Sequence, residues 1–326
     1  MAEITTGAPA LELPAGSIAF MLSGQGSQKP GMGADLLGVP EVAAAFSRAS
    51  EAFGFDVADL VCSDDPDRIN DTRFAQPALC ALSVGIAHAL EARGVEPAAV
   101  LGFSLGQIGA LAVAGMLSDE ETFALVRRRT DLMAQAAEKH PGAMSALLKG
   151  TDEEVEELCE RCAQGQVLVP ANYNSPGQVV ISGEPEEIAR AEEEWAAMGK
   201  RASRLKTSGA FHSPLMEEAA EGLAAYMEGV SFSDPRIPLI CNVDAAPLTA
   251  ASAREHLALQ MTHPVRFVQC VRNLAEAGAG TFVEVGFGGV LMNLVKRIDK
   301  ELGRECVQNE SSFNACVETY GAAGRE

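Results

Sequence analysis

Positive charge is what this 326-residue chain has least of: 25 Lys and Arg stand against 45 Asp and Glu, a net charge of −20. A phosphate backbone is bound through a basic stripe, so this balance argues against a nucleic-acid partner. An acidic protein partner would be repelled at long range and would need a local basic patch. Long apolar runs are missing as well. The longest, near 78–90 and 108–117, fall short of the ~20 residues a membrane span requires, so no membrane partner is expected. No basic segment precedes the first apolar stretch at 17–22, because the first cation is Lys29; a secretory signal peptide is therefore not expected. Paired cysteine motifs are almost absent. Of eight cysteines only Cys159 and Cys162 are close, in a Glu-rich helical run with no second pair at ligand spacing. A plain helix face is the expectation there, not zinc or redox chemistry. The scatter fits reduced thiols in a cytoplasmic protein. Internal repeats and low-complexity tracts are also lacking.

What is present is an ordinary globular composition, 47% hydrophobic and 21% charged, in a chain long enough to bury a core without disulfide or metal. Residues 1–16 read as a loose leader, 17–22 as a buried strand entering the turn 23–28, and 41–53 and 76–93 as helices. Residues 98–103 form a second apolar strand and 105–117 an Ala- and Leu-rich helix. Ser118 with Glu121 makes a capping box that opens a helix over 119–138. Strand 143–148, a helix capped by Thr151 and Glu154, strands 166–173 and 177–183, helix 185–198 and extended 200–207 follow. That β-α-β-β-α-β order predicts a ferredoxin-like split unit. Beyond it come helix 214–228, strand 237–243, helix 252–260, strand 281–285 and helix 290–301, and the last fifteen residues look poorly specified. The expected class is α/β: an α/β-hydrolase-like large domain, 1–141 and 208–326, carrying an inserted ferredoxin-like small domain, 142–207.

Residues 102–106 read Gly-Phe-Ser-Leu-Gly between an apolar strand and a helix. A nucleophile elbow requires that context. Small residues at 102 and 106 let strand and helix approach, and the turn lifts the Ser104 hydroxyl above the sheet. Free N–H groups at the helix start can receive a developing oxyanion.

Ser104 needs a base, and there are only five histidines. His88 lies in a helical stretch, His140 in a turn, His256 beside Glu255, and His263 before Pro264. His212 sits in a loop that opens a helix and follows the nucleophile in chain order, as in elbow-type hydrolases. On residues alone it leads this field without closing it.

Several ordered motifs carry a resemblance from about residue 17 to 302: Gly24-Gln25-Gly26-Ser27-Gln28, the Ser104 elbow, Arg129, Asn172-Tyr173-Asn174-Ser175-Pro176-Gly177-Gln178, Ala210-Phe211-His212-Ser213, Asn242-Val243-Asp244 and Pro264-Val265-Arg266-Phe267. In this order they resemble malonyl-CoA:acyl-carrier-protein transacylases and the acyltransferase domains of polyketide synthases. The resemblance implies Ser104 as nucleophile and His212 as base, oriented by the backbone carbonyl of Gln260. It implies an oxyanion hole from the N–H groups of Gln25 and Leu105, with Asn172 and Asn174 in supporting roles. Arg129 would hold the malonyl carboxylate, whose burial without a partner would be costly. Phe211 would fill the space an α-methyl group needs, favouring malonyl over methylmalonyl. Malonyl-CoA and an acyl carrier protein are the implied partners, and the implied reaction needs no metal and no cofactor. Lys200, Arg201, Lys296 and Arg297 are the implied docking rim for the acidic carrier.

The sequence departs from the family pattern at Phe103, usually His, at Gln107, usually Glu, and at Ser23, commonly Pro. Other readings of the residues are a serine thioesterase or hydrolase, an acyltransferase serving a polyketide or polyunsaturated-lipid synthase, and a non-catalytic binding module.

Overall fold

The computed structural model describes residues 11–63, 65–207 and 209–322. Most of the expected leader, and Ser208 at the expected domain boundary, lie outside the described residues. β1 (Ser17–Leu22) is followed by a 3-10 turn at Ala34–Leu36, then α1 (Pro40–Phe53), α2 (Val57–Cys62), α3 (Pro66–Asn70) and α4 (Thr72–Glu91). β2 (Ala99–Gly102) leads into α5 (Leu105–Val113) and α6 (Asp119–Lys139). Next come β3 (Ala143–Leu148), α7 (Asp152–Ala163), β4 (Leu168–Ser175), β5 (Gln178–Gly183), α8 (Pro185–Ala197) and β6 (Arg201–Arg204). A 3-10 turn at Pro214–Met216 precedes α9 (Glu217–Met227), β7 (Leu239–Ile240), α10 (Ala250–Leu259) and α11 (Phe267–Ala277). β8 (Ala279–Val285), α12 (Val290–Ile298), β9 (Gly303–Val307) and α13 (Glu310–Tyr320) complete the described chain.

The fold is mixed α/β with two separate sheets. One has five strands in the order β7-β2-β1-β8-β9, all parallel. Its central strands β1 and β2 are near-continuous apolar runs because both faces are covered. Along β1, Phe20 and Leu22 enter the core shared with α1, α4 and α5, while Ala19 and Met21 enter the one shared with α11 and α12. The other sheet is antiparallel, in the order β4-β5-β3-β6. It has its own core with α7 and α8, built around Trp195, which is fully buried and donates its Nε1–H to Leu148 O at 3.1 Å. β4 is tied to the segment that enters α11, where Val265 N donates to Ala171 O and Tyr173 N donates to Val265 O, each at 2.9 Å.

Both expected capping boxes form, Ser118 with Glu121 and Thr151 with Glu154. Cys159 and Cys162 lie buried on the face that α7 turns to its sheet. The expected helix over 105–117 stops at Val113, because Gly115 turns the chain at φ 71° and Met116 N folds back to Leu111 O. The helix expected over 214–228 starts as a 3-10 turn, and only two residues of 237–243 join the sheet. Five elements were not expected: α2, α3, α11, β9 and α13. The last overturns the reading of the final fifteen residues as poorly specified. Asn309 and Ser312 cap α13 reciprocally, and Phe313 and Cys316 sink into the main core. Among the described residues no helix is long and apolar enough to cross a membrane.

An ionic cluster pins α4 to the start of α6. His88 Nε2 lies 2.9 Å from Asp119 Oδ1, and its Nδ1 lies 3.5 Å from Glu91 Oε2. Burial alone would push this imidazole down, but its bonds to Asp119 and Glu91 outweigh burial and raise it to about 9. A raised folded-state value means the protonated form stabilises fully below the ordinary 6.5, and this contribution is lost as pH climbs through about 9. The Tm of the wild type should fall across that window. His88→Gln should flatten the slope, which thermal scans at several pH values will check.

Candidate active site

In the parallel sheet β1 pairs with β2 on one side and with β8 on the other. The loops leaving the C-terminal ends of these strands diverge, and ligands of open parallel sheets bind in that crevice. A cavity of about 380 Å³ opens there, lined from the β1 side by Gln25, from the β2 side by Ser104, and from the β8 side by Glu284.

The elbow follows from local sterics. A Cβ on Gly102 would stand 1.9 Å from the Gly106 carbonyl carbon, and one on Gly106 would stand 2.1 Å from Leu22 O. Only glycine at both places lets α5 press on the ends of β1 and β2. Ser104 is driven to φ 52° and ψ −101°, a conformation costing on the order of 1–3 kcal/mol. Asn242 holds it there: its Oδ1 accepts the Ser104 N–H at 2.9 Å, and its Nδ2 donates to Gly102 O at 2.7 Å. The Ser104 N–H is thus taken, whereas Leu105 N–H, at the first position of α5, lacks an acceptor within the helix.

His212 Nε2 lies 2.8 Å from Ser104 Oγ, and its Nδ1 lies 2.7 Å from Gln260 O. A carbonyl oxygen only accepts, so Nδ1 carries the proton and Nε2 is left as acceptor toward the serine hydroxyl. Burial, then repulsion from Arg129, push the imidazole down to about 4 despite the bond to Gln260 O. The ring is therefore neutral at pH 7. None of the other four histidines offers a rival. His88 pairs with Asp119 and Glu91, His140 with Glu218 and His256 with Asp244, while His263 bonds Leu259 O and Thr262.

Three consecutive arginines on α6 fan out by the helical turn. Arg127 is exposed, Arg128 intermediate, and Arg129 buried at 1% exposure. Arg129 donates from one terminal nitrogen to Gln76 Oε1 at 3.0 Å and from the other to Ser104 Oγ at 3.1 Å. Its Nε is buried without a partner, and no carboxylate forms an ion pair with it among the described residues. Burial lowers the guanidinium to about 10, so it remains charged at neutral pH.

The other expected site residues divide. Gln25, Leu105, Asn172, Asn174 and Phe211 all line the same cavity, and Asn174 Oδ1 is buried there without a partner. Gln260 contributes its backbone to His212 and its amide to Ser104 O at 3.1 Å. Of the expected rim, Arg201 and Lys296 are exposed, and Arg297 reaches across to Gln178 Oε1. Lys200 does not fit an open rim: its Nζ pairs with Glu154 and sits 4.4 Å over the Trp195 ring, bracing α7 against α8.

Sequence reasoning passed over Gln76 and Glu284 and gave Asn242 no role. Glu284 is a lone acid in an apolar strand, and that was its signal. Its Oε2 accepts Met292 N at 2.9 Å at the start of α12, and its Oε1 accepts the Ser23 hydroxyl at 3.1 Å. Burial pushes it up to about 7. The hydroxyl at Ser23 is thus used. Phe103 stacks edge-on against Phe267, with ring centroids 5.6 Å apart.

A family model described as acyl transferase domain matches residues 19–316. The malonyl CoA-acyl carrier protein transacylase of Escherichia coli (strain K12) is 37% identical over 304 residues, 92% of this chain and 98% of the relative. The chain belongs to the malonyl CoA-acyl carrier protein transacylase family. Its Bacillus subtilis (strain 168) member is 35% identical over 306 residues, 93% of this chain and 96% of that one. The crystal structure of the member from Xanthomonas oryzae pv. oryzae matches with a TM-score of 0.91 at 39% identity, covering 95% of this chain and 100% of that one. A malonyl-transacylase solved in complex with its type II PKS acyl-carrier protein matches with a TM-score of 0.90 at 37% identity, over 93% of this chain and 99% of that one. The pairing of a parallel with a separate antiparallel sheet is common to the family.

Because burial and Arg129 hold His212 down at about 4, labelling of Ser104 by an uncharged fluorophosphonate should keep its plateau well below pH 6. In Arg129→Met the repulsion is gone and the acid limb should move to higher pH. The rate of labelling against pH, read by mass spectrometry, tests both statements.

Proposed function

We propose that this chain transfers a malonyl group from malonyl-CoA to the pantetheine thiol of an acyl carrier protein through an ester on Ser104. The observation that carries this reading is the buried Arg129 guanidinium, which has only neutral partners and touches the nucleophile. A buried cation left unpaired is costly, so an anion supplied by the substrate is the partner this site favours. In the first half-reaction Ser104 Oγ attacks the thioester carbonyl and His212 Nε2 takes its proton. The oxyanion is received by the N–H groups of Gln25 and Leu105. The tetrahedral intermediate expels the coenzyme A sulfur, which takes the proton back from His212. In the second, the carrier thiol gives its proton to His212 and attacks the ester, and Ser104 leaves with that proton. Phe211 beside the base favours malonyl over a branched acyl group. The family includes a member solved with a type II PKS carrier, so a carrier of that kind is a second candidate acceptor beside one of fatty-acid synthesis.

The four-stranded sheet with its two helices has the strand order of a ferredoxin-like unit. We read it as a small domain, 142–207, inserted into an α/β-hydrolase-like large domain, 1–141 and 208–326; its separate core supports the division. Arg201, Lys296 and Arg297 are the proposed docking rim, with Lys200 held back by Glu154.

Intact mass after malonyl-CoA alone tests the central claim. A malonyl adduct in the wild type that is absent from Ser104→Ala is expected, and an unmodified wild type overturns the reading. Arg129→Ala should slow malonyl transfer far more than acetyl transfer, given a truncation cost of roughly 3–5 kcal/mol for a buried pair. Equal losses with both acyl groups would make Arg129 structural. Charge reversal at Lys296 should raise the KM for carrier protein, with acylation by malonyl-CoA near wild type; steady-state and single-turnover rates compare the two.

A further inference from the structure

We propose that Gln107 is a positioning residue that sets the approach of His212 to Ser104, a role resting on the reading of those two as the reacting pair. Gln107 lies in the first turn of α5, three residues past the nucleophile, and is fully buried. Its Oε1 accepts two donors from two different segments: Asn242 N at 2.7 Å and Gln260 Nε2 at 3.0 Å. Each donor belongs to a residue that grips one member of the pair. Asn242 straddles the elbow through its bonds to Ser104 N and Gly102 O. Gln260 presents the carbonyl that holds His212 Nδ1. That oxygen therefore joins the mount of the nucleophile to the mount of the base, beside the direct contact of Gln260 Nε2 with Asn242 Oδ1 at 3.2 Å. On the other side of the amide, Nε2 faces Cys241 Sγ at 3.7 Å, a weak acceptor. The position demands an acceptor and makes little use of the donor.

Removing that acceptor would leave a buried Asn242 N–H unpaired and take from Gln260 Nε2 the shortest of its three contacts, the others being Ser104 O at 3.1 Å and Asn242 Oδ1 at 3.2 Å, loosening the residue whose carbonyl holds His212. Gln107 reaches neither the cavity lining nor Arg129 directly, so the loss should fall on the chemical step and not on substrate binding. Single-turnover acylation by malonyl-CoA, followed by intact mass, separates the two. Gln107→Met keeps the length without the oxygen and should slow acylation by roughly 10- to 100-fold, with the half-saturating malonyl-CoA concentration almost unchanged. Gln107→Glu keeps the acceptor and should recover most of that loss. If the Met variant does not fold, as judged by thermal melting, Gln107→Asn, which draws the oxygen back by one methylene, takes its place against Gln107→Glu. A wild-type rate in the Met variant or its Asn substitute, a loss in Glu equal to theirs, or a parallel rise in the half-saturating concentration would each overturn the proposal. An adduct in the wild type and none in Ser104→Ala keeps the reading of the site separate from the outcome for Gln107.

Discussion

The contact of α5 with the ends of β1 and β2 is a backbone-on-backbone approach, and the rest of the site is arranged around it. With no Cβ at Gly102 or Gly106, the helix start sits where any side chain would collide with peptide atoms. The turn that joins strand to helix is then too tight for relaxed geometry, and Ser104 takes up the strain. Such a conformation persists only when its surroundings over-determine it. Here Asn242 grips the peptide groups on both sides of the turn. The same approach aims the free N–H end of α5 at the cavity and leaves the hydroxyl at its floor, within reach of elements from distant parts of the chain.

Charge is organised around a single buried cation. Arg129 has neutral amide and hydroxyl partners, so its field is not cancelled within the protein. It reinforces the effect of burial on His212 and keeps that imidazole unprotonated at neutral pH. In the proposed reaction one guanidinium would serve two ends: it would favour an anionic group in the cavity, and it would keep His212 in the form that can accept a proton. A carboxylate salt-bridged to Arg129 from within the chain would weaken both effects. The acidic exterior, at net −20, contrasts with this interior.

Local chemistry made much of the fold legible. β1 and β2 announced themselves as short apolar runs, and the Ser118–Glu121 and Thr151–Glu154 boxes marked helix starts that form as read. α11 carried a readable stripe, Phe267, Cys270, Val271 and Leu274, that went unnoticed behind its motif. β9 had no apolar run to show: it is an edge strand, Gly303-Arg304-Glu305-Cys306-Val307, with two adjacent charged residues at its middle, and it is held by pairing to β8. α13 depends on Phe313 and Cys316 finding the main core, a contact that no local pattern announces.

The sequence by itself determined the strand–turn–helix elbow that carries Ser104, the proposed nucleophile, and the α/β alternation. These rest on short-range sterics and periodicity that any chain segment carries with it. It could also name His212, Arg129 and Gln260, through an ordered set of motifs. Only the tertiary structure decided that Lys200 braces two helices, that Glu284 lies protected at the start of α12, and that Gln107, Asn242 and Gln260 meet at one oxygen. Those contacts join residues up to 153 positions apart. A hydrogen bond depends on angstrom-scale placement in space, and spacing along the chain does not encode it.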